Sequence, residues 1–98
     1  MAATIITVEE MRSRLRITHT DLDTEIGADI SSCLDELTRV GVSATPTEDT
    51  VNLINKAAEL YCKWQFDFQG RGEQYQKHYV ELKDALSLTE KYREDEVD

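Results

Sequence analysis

The chain has 98 residues, 40% of them hydrophobic and 32% charged, which suits one folded, soluble, helix-rich domain better than a disordered one. Its 20 acidic residues outweigh 11 basic ones, for a net charge of −9, which argues against a nucleic-acid binder whose affinity rests on cations neutralising phosphates. Cys33 and Cys62 form no C-x-x-C pair and are too few for a disulfide scaffold, so buried free thiols are expected.

A domain of this size has a radius of gyration of about 13 Å. It buries only about 60–65% of its unfolded surface, so partners or further copies are expected to supply part of its stability. The opening M-A-A-T-I-I-T carries neither a basic region nor a long apolar run, so no secretory leader is expected. No stretch approaches the roughly 18 apolar residues of a membrane span. A cytoplasmic compartment and no membrane partner follow as expectations.

The first helix is expected over residues 8–16. Thr7 is a good N-cap and Glu10 stands at N3, which makes a T-x-x-E capping box. Val8, Met11 and Leu15 share one face, while Arg12 and Arg16 share another. The second helix is expected over residues 22–40, capped by Thr20 or Asp21, with Asp21, Asp23 and Glu25 at its positive dipole end. Leu22, Ile26, Ile30, Cys33, Leu34 and Leu37 form its apolar stripe, and Gly41 stops it.

Thr45-Pro46-Thr47-Glu48 reads as the start of the third helix, with Thr45 as N-cap, Pro46 at N1 and Glu48 at N3. Ile54, Ala57, Ala58, Tyr61, Trp64 and Phe68 recur at helical spacing, so this most apolar helix is expected at the centre of the fold. Gly70-Arg71-Gly72 breaks it. A fourth helix starts near Glu73 with Tyr75, Tyr79, Leu82 and Leu86 on one face, and could extend to Tyr92. The predicted class is therefore all-α: a three-helix body plus a C-terminal helix over residues 1–93. Residues 94–98, E-D-E-V-D, would be a disordered acidic tail. Only residues 4–7 and 40–43 offer short, weak strand candidates.

Little in the chain reads as reactive chemistry. Asp21-x-Asp23-x-Glu25 opens like a calcium loop, but Ile26 stands where a Gly is required and Ser32 where a Glu is required, so the acids read as helix-start residues. His19 and His78 are isolated and show no metal-ligand spacing. Cys62 flanks an apolar face, where a thiol behaves as a small hydrophobe. Gly70-x-Gly72 alone is a turn. No catalytic residue, metal or cofactor is expected. The candidates that remain are protein contacts. Arg12, Arg14 and Arg16 form the one locally basic feature and could meet acids such as Asp29, Asp35 or Glu36 of a neighbouring copy. Phe66 lies off the core stripe and, with Arg71, Tyr75 and Tyr79, could anchor an interface.

Three stretches together resemble the small head–tail connector (head-completion adaptor) proteins of tailed bacteriophages and prophages. They are T-V-E-E-M-R-S-R-L-R-I followed by T-D-L-D-T-E-I; the run I-N-K-A-A-E-L-Y-C-K-W-Q-F; and Y-V-E-L-K-D-A-L-S-L-T-E-K-Y-R. They cover most of residues 5–93. Many members carry a Tyr and an Asn-Arg pair after the Trp, whereas this chain has Gln65-Phe66 and then Gly70-Arg71-Gly72. The resemblance implies a structural, non-catalytic subunit in the virion. It would form a ring, commonly matching a dodecameric portal protein, that extends the DNA channel without specific DNA binding and docks a tail-side stopper or completion protein. A different class of reading from the same residues is a free-standing cytoplasmic helical protein-binding module or small regulator.

Overall fold

The computed structural model describes residues 4–43 and 45–93. Among them lie four α-helices: α1 (Val8–Arg14), α2 (Asp23–Arg39), α3 (Val51–Gln65) and α4 (Gly72–Leu88). Single 3-10 turns follow α3 (Phe68–Gly70) and α4 (Glu90–Tyr92). The described residues contain no strand beyond one isolated antiparallel bridge, Val42 to Arg93. The expected all-α class is what the chain forms.

Thr7 opens α1 through the capping box. Its Oγ1 accepts the Glu10 amide at 3.1 Å, and Glu10 Oε1 accepts the Thr7 amide at 3.2 Å. The helix closes earlier than expected. Leu15 is its C-cap, and Arg16 takes the left-handed conformation at φ 59°. The Ile17 amide then donates back to Arg12 O at 3.0 Å, a reversal that brings Ile17 against the core.

Neither Thr20 nor Asp21 caps α2. Leu22 occupies the N-cap without a side-chain bond, and the Asp21 amide donates to His19 Nδ1 at 3.3 Å. The C-terminal stop is as expected, with Gly41 at φ 94° after Val40. α3 departs most from expectation, beginning at Val51 rather than Pro46. Thr50 Oγ1 accepts the Thr47 amide at 2.8 Å, so residues 47–50 close a turn of their own before the helix proper.

At the far end Asp67 adopts φ 47°, which ends α3 and leaves Phe68 in the corner rather than on the helix stripe. Asp67 Oδ1 accepts the Gly72 amide at 2.8 Å. A Cβ at Gly72 would stand 2.6 Å from that oxygen and 3.2 Å from Trp64 O, so glycine is required by close approach. α4 does not continue to Tyr92. Thr89 is extended, and the Glu90–Tyr92 turn folds back so that the Ser43 amide donates to Tyr92 O at 2.7 Å. Tyr92 is consequently buried. The acidic tail expected over residues 94–98 lies outside the described residues.

One core joins Ile6, Met11, Leu15, Ile26, Leu37, Ile54, Leu86 and Tyr92 with the residues between them. α3 packs on both α2 and α4, while α1 packs on α2. Ala57 and Ala58, completely covered, let neighbouring helices come close. The radius of gyration, 13.5 Å, is that of a compact chain of this length.

Candidate functional site

The three arginines of the first helix and its exit go to three different places. Arg12 Nε meets Asp23 Oδ1 at 2.9 Å, fastening α1 to the first turn of α2. Arg14 Nη1 meets Glu59 Oε1 at 2.7 Å, fastening α1 to α3. Arg16, in its left-handed exit, is exposed and makes no ion pair among the described residues. The strip expected from spacing alone is therefore divided, with two of its heads committed inside the chain.

Glu59 is the meeting point of charge on α3. Besides Arg14 it takes Lys63 Nζ at 2.9 Å and Lys56 Nζ at 3.7 Å. Burial would raise the pKa of its carboxyl. Hydrogen bonds from Lys63 and Arg14, together with the Lys56 and Lys63 charges, outweigh burial and hold it below the usual range. Three cations thus surround one carboxylate. The spacing Lys56-x-x-Glu59-x-x-x-Lys63 was legible as i,i+3 and i,i+4 pairing. The arrival of Arg14 was not.

A second charged joint ties α4 to α2. Tyr79 donates its hydroxyl to Glu36 Oε1 at 3.0 Å, and Lys83 Nζ reaches the same oxygen at 3.0 Å. Tyr79 is fully buried, with its ring 5.2 Å from Tyr61 and 6.1 Å from Trp64. Its expected part as an interface anchor is corrected: the ring belongs to the core, because α4 turns it onto α3. Burial, before any neighbouring charge, drives its hydroxyl pKa upward. The same cause pushes both the Cys33 and Cys62 thiols up to about 12, so both remain protonated and unreactive at neutral pH.

The other contact candidates cluster at the α3–α4 corner. Phe66 and Tyr75 are half-buried and pack against the core. Phe68 meets Tyr75 edge-on at 6.2 Å, and Lys63 Nζ lies 5.0 Å from the Phe68 ring centre and 5.5 Å from that of Tyr75. Arg71 is exposed at the N-cap of α4, beside a shallow cleft of about 440 Å³ that Asp67, Gly70, Glu73 and Gln74 also line.

A cleft of about 480 Å³ lies between the linker and the C-terminal turn. It is lined by Ser43, Thr45, Thr47, Thr50, Glu90, Lys91 and Arg93. Its hydroxyls have no histidine or thiol beside them. Among the described residues no three His, Cys, Asp or Glu side chains gather as metal ligands, and no helix is long and apolar enough to cross a membrane.

Fold and surfaces together define a small all-α domain whose polar chemistry joins helix to helix rather than lining a deep pocket. Residues 8–93 match the family model described as phage connector protein, and the chain belongs to that family. Its role is accordingly structural, that of a phage connector component. No curated protein and no solved structure matches the chain.

Proposed function

We propose that this chain is a head–tail connector subunit. Copies assemble as a ring, dodecameric where the portal protein is, extend the DNA channel below it and dock the tail-side stopper. The observation that carries this reading is the family match over residues 8–93. Two further observations are in keeping with it. The polar side chains of Arg12, Arg14, Glu59, Tyr79 and Lys83 join helix to helix, in keeping with a role in assembly. The net charge of −9 suits a passage through which a polyanion slides, because like charge opposes adhesion. Before assembly the subunit resides in the host cytoplasm, and afterwards at the head–tail interface.

Co-sedimentation of the full chain with the portal protein of the same phage, followed by electron microscopy of the complex, tests this. A ring seated on the portal is expected. A chain that stays monomeric or dimeric and ignores portal supports the alternative, a free-standing helical binding module. Truncation is informative only beyond residue 93, because Tyr92 is part of the core.

A further inference from the structure

The cations around Glu59 exceed what one carboxylate neutralises. Arg14, Lys56 and Lys63 bring three positive charges to a single negative one. Arg14 and Lys56 keep 42% and 53% of their side chains exposed, so this excess faces solvent. On a chain of net charge −9 such a patch is a local exception.

α2 carries the opposite feature. Glu25, Asp29 and Glu36 stand at i, i+4 and i+11 and share one side of the helix. Glu36 is satisfied by Lys83 and Tyr79 of α4. Glu25 and Asp29 form no ion pair among the described residues, and they crowd one another: the Asp29 carboxyl is raised first by burial and then by the Glu25 charge. A cation arriving from outside would relieve that crowding.

The two features lie on different edges of the molecule. On α2, Asp23 is held by Arg12, and a Cβ at Gly27 would lie 3.5 Å from Val8 Cγ2, so that edge is covered by α1. The Glu25–Asp29–Glu36 side instead borders α4, where Glu36 meets Lys83. The cationic seam lies where α1 meets α3. A patch and its complement on separate edges need not meet reciprocally about a two-fold axis. Patches so separated suit head-to-tail pairing, a geometry that generates rings when the rotation closes.

Building on the connector reading, we propose that the seam of Arg14, Lys56 and Lys63 docks the Glu25–Asp29 stripe of a second copy of this chain, and that this repeated contact is the polar part of the subunit-to-subunit interface.

The test uses the full chain in sedimentation velocity at low and high salt. The seam variant combines Arg14→Gln with Lys56→Glu, and the stripe variant combines Glu25→Lys with Asp29→Asn. Wild type should self-associate at low salt, and high salt should weaken it. Each variant alone should associate about 10-fold more weakly. An equimolar mixture should recover association, because the reversed seam of one variant meets the reversed stripe of the other. Circular dichroism checks that each variant folds. Lys56→Glu and Glu25→Lys alone, both at exposed positions, repeat the experiment if a double variant does not. A wild type that is monomeric at every salt concentration overturns the proposal, as does a mixture no tighter than its components. Duplex DNA retained by wild type and lost in the seam variant, with self-association unchanged, assigns the seam to phosphate and overturns it too. Portal co-sedimentation separates the two readings. A monomeric wild type that still binds portal removes this contact and leaves the connector reading standing. Self-association without portal binding does the reverse.

Discussion

Tyr79 is sealed in the core with its hydroxyl 3.0 Å from Glu36 Oε1, and the hydrogen bond it donates there joins α4 to α2. Lys83 reaches the same oxygen from the next turn of α4. Three residues thereby set the register between helices that are far apart in sequence.

Tyr79→Phe keeps the ring and removes that bond. It should cost about 1–2 kcal/mol in urea unfolding, toward the low end for hydrogen bonds to charged groups because Glu36 keeps Lys83. Tyr79→Ala should cost about 3–5 kcal/mol through the cavity it opens. Equal losses for the two variants would show that the ring contributes nothing beyond its hydroxyl, and no loss in Tyr79→Phe would remove the hydrogen bond from the account.

Acid should unfold the protein through Glu59 and Glu36. Burial opposes ionisation of each, but Lys63 and Arg14 on Glu59, and Lys83 and Tyr79 on Glu36, hold both below the ordinary glutamate value of 4.5. A carboxyl whose pKa is lower in the folded state adds stability above its unfolded value and loses it as pH falls through its folded value. Thermal midpoints should therefore fall below pH 4.5 and hold above it. Asp29, raised by burial and by Glu25, acts in the opposite sense and softens the onset. Glu59→Gln should show a shallower acid loss than wild type; an identical acid profile would remove Glu59 from the account.

Arg16→Gly should raise stability by about 1 kcal/mol. The residue sits at φ 59° in the left-handed region, where a Cβ is penalised and glycine is not. A higher unfolding midpoint in guanidinium chloride is the expected result. A lower one would mean that the guanidinium contributes more than its backbone conformation costs. The same variant shows whether assembly uses that side chain, since it removes the charge without weakening the fold.

Cys33 and Cys62 should resist modification in the folded protein. Both are buried, with thiols pushed up to about 12. Reaction with a thiol-specific chromogenic reagent should follow the opening of the helices, and become immediate in denaturant. Fast labelling without denaturant would contradict the packing around α2 and α3.

Local features were legible in the residue string because their causes are local. Thr7 and Glu10 cap one another across a single turn, and Gly41 supplies a left-handed stop that few other residues adopt. The stripes of α2 and α3 follow from a helical period that backbone geometry imposes. Pro46 misled as a helix start because a hydroxyl three residues beyond Thr47 offered its amide another partner, and such bonds compete closely with a helix turn.

Composition and periodicity were enough to mark a small, acidic, all-α chain, and its ordered motifs pointed to the connector family. Periodicity also marked which faces are apolar. Helix packing was needed to bring Arg12 to Asp23, to gather Arg14, Lys56 and Lys63 around Glu59, and to turn Tyr79 inward while Arg16 stays in solvent. Periodicity states which residues share a side of one helix. The destination of a long charged side chain depends on where other helices come to lie, and that is settled by packing across the whole core.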